Sequence, residues 1–210
     1  MIKKEYYKNL ATTVLKGFDK RFIEGYYCET AEEAKALALS LVPQGASASF
    51  GGSMTLEETG ILEALRNRND ITLFDRATAT TPQEMKKIMH DTLSCDYYFM
   101  SSNAITVDGE LVNIDGNGNR VAALIYGPEN VIIIAGMNKI SKNVEEALTR
   151  VRNTASPLNC IRLNKNTPCA KNGVCGNCLS DTICDQIVIT RASRVPKRIK
   201  VILVGQELGY

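Results

Sequence analysis

The sequence predicts an α/β protein with a layered, mostly parallel sheet, N-terminal helices and a C-terminal cysteine-rich insertion. From residue 46 to residue 154, short apolar runs alternate with amphipathic segments at helical spacing. Val131–Ala135 is a continuous apolar run, typical of a strand buried on both faces of a parallel sheet. With 210 residues, 44% of them hydrophobic, the chain is expected to form one domain over 1–210, with a helical segment at 1–44 and the insertion at 157–185.

The individual elements follow from periodicity and capping signals. Apolar side chains at helical spacing over residues 3–24, ended by Gly25, predict a first helix. A second helix is expected directly after it, because Thr30–Glu33 is a capping box and the run stops at Pro43. Further strands are predicted at Ala46–Phe50, Ile71–Phe74, Tyr97–Met100 and Val131–Ala135, and helices at about Thr55–Arg66, Pro82–Leu93, Gly118–Tyr126 and Asn143–Thr154.

The later part of the chain departs from simple alternation. Asn103–Asn113 contains two short apolar runs joined by Asp108-Gly109, which is a hairpin signal. Ile187–Ile189 and Ile199–Val204 are expected to return the chain to the sheet after the cysteine segment.

Composition excludes several classes of function. The 25 Lys and Arg residues nearly balance 23 Asp and Glu residues, and there is no Trp and no basic-aromatic run, so no nucleic-acid partner is expected. The basic stretch Arg191–Lys200 is interpreted as a solvated turn before the last strand. The first residues are charged, with no apolar leader and no run long enough to span a membrane, so we expect a cytoplasmic protein with no membrane partner.

Two glycine-bearing turns are candidates for ligand binding. In the first, Gly51 and Gly52 allow close backbone approach, and Ser53 or Thr55 can cap the helix that follows, so its free amides suit a phosphate or carboxylate. A plain capped turn, with Thr55 and Glu58 as a capping box, explains the same residues equally well.

The second turn, Asp115–Arg120, places one carboxylate, two amides and one guanidinium at the start of a helix. Arg120 is suited to bidentate contact with a carboxylate or phosphate, although the Asn and Gly residues also suit an ordinary turn and Arg120 could form a surface salt bridge. At a third strand end, Lys139 could hold an anion or stand in water. His90 is interpreted as a surface residue, so acid–base chemistry would fall to carboxylates: the candidates are Asp115, Asp108, Glu58 and Glu207.

Four cysteines, Cys169, Cys175, Cys178 and Cys184, lie within sixteen residues of a polar, glycine-bearing segment. Because such a segment buries little apolar surface, thiolates converging on one metal centre would supply its organisation. A 4Fe-4S cluster is favoured and zinc is the alternative, since both accept four cysteines. A redox-active disulfide pair and reduced thiols without metal remain open, and Cys160 is a further candidate ligand.

The segment Ser102–Lys139, together with Gly51–Glu58 and the ending Val201–Gly209, resembles the signature of the LUD domain, the lactate-utilisation (LutC-like) family. The cysteines, with Pro157–Cys160, resemble a small-protein subgroup of it. The resemblance covers most of the chain and implies a Rossmann-like fold of the ribose-phosphate isomerase and CoA-transferase superfamily, whose members hold phosphate or a CoA thioester at a turn like Phe50–Thr55. The ligand-binding residues expected on both grounds are Gly51, Gly52, Ser53, Met54, Thr55, Asn103, Gly116, Asn117, Gly118, Asn119, Arg120, Asn138 and Lys139.

Two hypotheses for function follow. The first is an enzyme, or a subunit of one, that acts on a small carboxylate or phosphorylated metabolite beside a thiolate-bound metal centre, working with an oxidoreductase partner as the resemblance implies or as a homo-oligomer. The second is a non-catalytic metabolite-binding or assembly protein with a structural metal. The lack of a recognisable acid–base pair in the sequence favours the second hypothesis.

Overall fold

Helices and strands alternate along most of the chain in the computed structural model, which describes residues 2–210. The helices are α1 (Ile2–Lys20), α2 (Ala31–Ser40), α3 (Met54–Glu58), α4 (Ile61–Arg66), α5 (Pro82–Asp91), α6 (Asn119–Ile125), α7 (Val144–Arg150), α8 (Ser156–Arg162) and α9 (Pro168–Asn172). The strands are β1 (Glu24–Cys28), β2 (Ser47–Phe50), β3 (Thr72–Phe74), β4 (Tyr97–Met100), β5 (Ala104–Thr106), β6 (Leu111–Asp115), β7 (Asn130–Gly136), β8 (Ile140–Ser141), β9 (Gln186–Thr190) and β10 (Ile199–Val204).

A six-stranded, all-parallel sheet in the order β1-β10-β7-β4-β2-β3 forms the centre of the protein, which confirms the predicted fold class. The central strand β7 is buried along its whole apolar run. Val131, Ile133 and Ala135 face a core shared with α1 and α6, whereas Ile132 and Ile134 face a second core shared with α2 and α4. Helices therefore cover both faces of the sheet, as the continuous apolar sequence of β7 predicts.

A smaller, four-stranded sheet in the order β8-β5-β6-β9 stands beside the central one. The predicted hairpin is confirmed: β5 and β6 pair antiparallel, and Gly109 at their turn has a φ of +87°. Of the two final apolar runs, Ile199–Val204 enters the central sheet, but Ile187–Ile189 pairs antiparallel with β6 in the smaller one.

Two predictions about the early helices need correction. The second helix does not follow the first directly, because Glu24–Cys28 pairs with β10 as the edge strand β1. The predicted helix Thr55–Arg66 is split at Gly60, whose φ of +68° interrupts the helical backbone.

The predicted helix over Asn143–Thr154 extends further than expected. A π-helical turn at Val151–Ala155 leads directly into α8, so that Pro157 occupies the first turn of a new helical segment rather than ending one. Cys160 therefore lies in helix α8, within the range 157–185 where the sequence predicts the cysteine-rich insertion. The chain has no regular secondary structure between Gly173 and Asp185.

Over residues 2–210, no helix combines the length and the apolar character needed to cross a bilayer. Because the central strands are all parallel, their carboxyl ends lie at one edge of the sheet, where β2, β4 and β7 lead into the turns considered next.

Candidate functional site

A cleft of about 380 Å³ lies at the carboxyl edge of the central sheet. The turns after β2, β4 and β7 form one wall, through residues 52–55, residues 101–103 and Lys139. The cleft is also lined by residues of α8 and by Thr182, Ile183 and Asp185 of the cysteine segment. The cleft is thus at the place where open parallel sheets bind ligands, and the cysteine segment borders it.

Lys139 is the most unusual residue of the cleft. It lies in a 3₁₀ turn after β7, is 2% exposed, and its Nζ donates to Thr55 Oγ1 at 2.8 Å and to Ser101 Oγ at 2.9 Å. Burial chiefly, with the nearby positive charges of Arg150 and Arg120, lowers the pKa of this amine to about 7, against a weak opposing effect of Glu58. An unpaired buried amine with hydroxyl partners is uncommon, because a charged group in such a place is ordinarily neutralised by a carboxylate.

The Arg120 guanidinium is held by the protein itself. Its side chain reaches five acceptors: Ser101 O (3.1 Å), Asn113 Oδ1 (2.6 Å), Asn103 Oδ1 (2.9 Å), Ile114 O (2.7 Å) and Asp115 Oδ1 (3.4 Å). These contacts tie the end of β4 to β6, so the guanidinium has little free donor capacity for a ligand. Arg120 lines the cleft, and its side chain holds the cleft wall in place through these contacts.

The second glycine turn lies on the cleft, as expected from its position after β6. Asp115, Gly116, Asn117 and Asn119 all line it. Asp115 Oδ2 accepts from the amides of Arg120 and Val121 at the start of α6, so this carboxylate serves as a helix cap as well as an ion-pair partner. Gly118, with a φ of +78°, gives the backbone turn that starts the helix.

The first glycine turn is only partly open to a ligand. An added Cβ at Gly51 would lie 2.8 Å from the Tyr98 hydroxyl oxygen, so Gly51 is needed for internal packing. A Cβ at Gly52 would lie 2.6 Å from an Arg76 nitrogen that borders the cleft. Ser53 caps α3 by accepting from Leu56 N at 3.4 Å, and Ser53, Met54 and Thr55 line the cleft. The turn is therefore capped, but by Ser53 rather than by the predicted capping box of Thr55 and Glu58, and its role in ligand binding stays a prediction.

Several predicted residues lie away from the cleft lining. Asp108 is exposed at the hairpin tip, where its backbone packs against Gly17 of α1. Glu58 is exposed and accepts from Gly209 N at 2.7 Å, and Asn138 binds the same C-terminal segment through Leu208 N and Gly209 O. Of the four carboxylates named as candidates for acid–base chemistry, only Asp115 lines the cleft; Glu207 instead accepts from Lys3 Nζ at 2.6 Å and from the Tyr7 hydroxyl at 3.0 Å.

The structure adds cleft residues that sequence reasoning missed. Arg76, Ser156, Arg162, Lys165 and Asp185 all line it. Arg76 lies two residues after β3, so the predicted strand Ile71–Phe74 already indicates its place at the carboxyl edge of the sheet. The residues of α8 carry no motif that would indicate theirs. Ser156 is 4% exposed and lines the cleft, and its hydroxyl lies near the Cys184 thiol, whose pKa it lowers against the larger effect of burial.

The cysteine segment brings some thiols near one another. Cys160 and Cys169 are buried, and burial chiefly raises the pKa of Cys160 to about 11, with Cys169 and Cys184 adding to the effect. Burial also raises the pKa of Cys184, and Cys169 and Cys175 contribute. Within the described chain, however, no three His, Cys, Asp or Glu side chains are arranged to hold a metal ion. The site at Cys169, Cys175, Cys178 and Cys184 therefore stays a prediction.

An open parallel α/β sheet with a polar cleft at its carboxyl edge defines a class of small-ligand-binding domains. Within that class, the family model of the LUD domain matches residues 12–204, and the chain belongs to the LUD domain family. This confirms the family resemblance found in the sequence.

Solved structures agree on the fold. The crystal structure of a DUF162 family protein from Deinococcus radiodurans is similar with a TM-score of 0.51 and 12% identity, over 96% of this chain and 98% of that one. That of eIF2B delta from Chaetomium thermophilum has a TM-score of 0.37 and 16% identity, over 57% of this chain and 50% of that one, and carries no structural argument. A search of curated proteins gave no match.

Proposed function

We propose that this LUD-domain protein binds a small carboxylate or phosphorylated metabolite in the cleft and acts on it as an enzyme or enzyme subunit, in cytoplasmic metabolism related to lactate utilisation. The observation that carries the proposal is Lys139, a buried amine at the cleft without a carboxylate hydrogen-bond partner. Near pH 7 the amine is protonated in part, and an anionic ligand would offset the positive charge that its surroundings do not neutralise.

The charges around the cleft support an anionic ligand. Five cationic side chains line it (Arg76, Arg120, Lys139, Arg162 and Lys165) against two carboxylates (Asp115 and Asp185). Lys165 is paired with Asp181 at 2.8 Å, and Arg120 is paired with Asp115. Arg76 and Arg162 remain as exposed guanidinium groups that could contact a carboxylate or phosphate in bidentate fashion.

Replacing Arg162 with Ala is expected to weaken anion binding about tenfold, because a charge-assisted hydrogen bond at an open cleft contributes about 1.4 kcal/mol. Isothermal titration calorimetry with inorganic phosphate and with lactate measures this. Arg194→Ala, at an exposed position outside the cleft lining, is the matched control and should leave affinity unchanged. Equal affinities of the Arg162 variant and the parent protein would remove Arg162 from the proposed site.

One observation favours the alternative, a non-catalytic binding or assembly protein. Asp108 and Glu58 lie outside the cleft lining, and Asp115 is occupied by backbone amides and Arg120. The cleft therefore offers no free carboxylate from the predicted set. Nuclear magnetic resonance spectra of a bound metabolite during long incubation separate the two functions: unchanged signals at saturating protein favour binding alone, and new product signals favour catalysis.

We also propose that the cysteine segment holds a thiolate-bound metal centre, a 4Fe-4S cluster or alternatively zinc. The support is the density of thiols, together with the effect of Cys169 and Cys184 on the pKa of Cys160 and of Cys169 and Cys175 on that of Cys184, which indicates that these side chains lie near one another. Because residues 173–185 lack regular structure, ligation would have to draw in Cys175 and Cys178 from this segment. A redox centre there would border the cleft and could exchange electrons with an oxidoreductase partner.

Protein purified without oxygen is expected to be brown, to contain iron and to bleach with dithionite. Cys178→Ser should lower the iron content at least severalfold, whereas Cys28→Ser, at the end of the edge strand β1 of the central sheet, should not. Colourless protein with one zinc would favour the structural version of the site. Protein with neither metal would contradict the proposal.

A further inference from the structure

We propose that Lys139 is a nucleophilic amine that forms an imine with the carbonyl carbon of the ligand bound in the cleft. The inference rests on the proposed function, since it concerns a ligand in the same cleft. It adds a chemical class to that ligand: a compound carrying an aldehyde or ketone close to its carboxylate or phosphate.

The hydrogen bonds around Lys139 use both protons of the neutral amine and leave its lone pair free. Thr55 Oγ1 donates its proton to Leu208 O at 3.3 Å, and Ser101 Oγ donates its proton to Ser102 O at 3.4 Å. Each hydroxyl therefore meets Lys139 as an acceptor. A neutral amine has two protons, and these two acceptors use both of them, so the lone pair is left for the remaining direction. Lys139 lines the cleft, so a ligand bound there would lie beside this amine and the neighbouring Gly209.

The environment keeps the amine neutral at mild pH. The charged groups acting on it are Arg150 of α7 and Arg120 of α6, which disfavour the ammonium, and Glu58 of α3, which weakly favours it. The Arg150 guanidinium donates to Asn138 O at 3.0 Å and to Asn103 O at 2.5 Å, and these hydrogen bonds hold its positive charge near Lys139. With a pKa near 7, about nine tenths of Lys139 would be neutral at pH 8, against well under a hundredth of an ordinary lysine. Desolvation is a known way to activate a lysine for imine formation.

The step needs no oxidant or co-reactant. The nitrogen lone pair attacks the carbonyl carbon and the C–O π electrons move to oxygen, which gives a carbinolamine once a proton has passed from nitrogen to oxygen. The carbinolamine hydroxyl then takes a proton and leaves as water while the nitrogen loses its other proton. One C=N bond replaces one C=O bond, and one water is released. Thr55 and Ser101, each 2.8–2.9 Å from the nitrogen, accept its hydrogen bonds and are placed to receive the protons that the nitrogen loses.

The remaining cleft charges indicate where the anionic group would lie. Arg76 follows β3 and Arg162 ends α8, so the two guanidinium groups border the cleft from separate elements. An anion held by either group would leave the rest of a short ligand within the cleft that Lys139 borders. A 2-oxo acid and a phosphorylated aldehyde share this chemistry, and the experiment below distinguishes them.

The test is reductive trapping. The protein is incubated with pyruvate, or with glyceraldehyde 3-phosphate, and sodium borohydride, which turns an imine into a stable secondary amine. Intact mass and peptide mapping are expected to show one adduct per chain, located on Lys139. Trapping should increase through about pH 7 and level off near pH 8, whereas an exposed lysine should still gain reactivity above pH 9. An adduct with only one of the two compounds identifies the carboxylate or the phosphate form of the ligand.

Two variants distinguish adduct formation at Lys139 from adduct formation at surface lysines. Lys139→Met should lower trapping at least tenfold, and Lys142→Met, at an exposed position, should leave it unchanged. If the Lys139 variant does not fold, peptide mapping of the parent protein still decides the question. Adducts spread over exposed lysines, or no adduct at all, overturn the inference. Calorimetry with phosphate and lactate separates the two failures: anion binding without a Lys139 adduct refutes only the imine, and no anion binding refutes the proposed function as well.

Discussion

Replacing Arg120 with Ala is expected to lower the free energy of unfolding by about 3–5 kcal/mol, the range for breaking a buried charged network by removing one partner. The side chain binds the end of β4 and three consecutive residues of β6, Asn113–Asp115. Its loss removes the charged partner of Ser101 O and Ile114 O, one of the two hydrogen bonds to Asn113 Oδ1 and a link between the two sheets. Urea unfolding followed by circular dichroism measures the change.

Arg194→Ala is the matched control for this prediction, because it removes an exposed guanidinium and should cost less than about 0.5 kcal/mol. Arg120→Lys should fall between the two, since an ammonium satisfies fewer of the acceptors and lacks the planar fork. A loss below about 1 kcal/mol for Arg120→Ala would show that the network contributes little. It would then return Arg120 to the role of a ligand-binding residue.

Replacing Lys139 with Met is expected to raise the free energy of unfolding near neutral pH, and this gain should shrink by about 2 kcal/mol between pH 7 and pH 9. The folded-state pKa of about 7 lies below the usual 10.5 of the unfolded chain. Between these values the unfolded state binds more protons, so the parent protein gains stability as the pH rises. Below pH 7 both states are protonated, and the full cost of the buried ammonium is present. The variant has no such group, so its own curve lacks this rise.

Urea unfolding of both proteins at pH 7, 8 and 9 measures the difference. Lys142→Met serves as the control, because an exposed lysine titrates alike in both states and its curve should run parallel to that of the parent protein. A parallel curve for Lys139→Met would show that the buried amine keeps an ordinary pKa. Such a result would also weaken the proposed imine chemistry.

Much of the fold could be predicted from local sequence. The predicted N-cap of α2 is present, because Thr30 Oγ1 accepts from Glu33 N, although Glu33 Oε2 reaches back to Glu29 N rather than to Thr30 N. The predicted strand Val131–Ala135 lies at the centre of the parallel sheet, and Asp108-Gly109 forms the hairpin turn. These signals are readable because each depends on residues within a few positions of one another.

The errors in the fold have long-range causes. Glu24–Cys28 contains Gly25 and reads as a break between helices, but pairing with β10, far along the chain, makes it a strand. The predicted helix ends at Thr154, but a π-helical turn over Val151–Ala155 leads directly into α8. Neither the pairing of β1 with β10 nor the π-helical turn before α8 can be predicted from the neighbouring sequence.

The candidate site shows the same division. The sequence by itself determined the α/β class, the strand ends, the two glycine turns and the family, because periodicity, capping and turn chemistry are local. Only the tertiary structure decided what the charged side chains do: it enclosed Lys139 between two hydroxyls, surrounded Arg120 with acceptors and brought Arg76 and Arg162 to one cleft. The physical reason is that the ionisation and hydrogen-bonding capacity of a side chain depend on burial and on neighbours from distant segments, which only folding brings together.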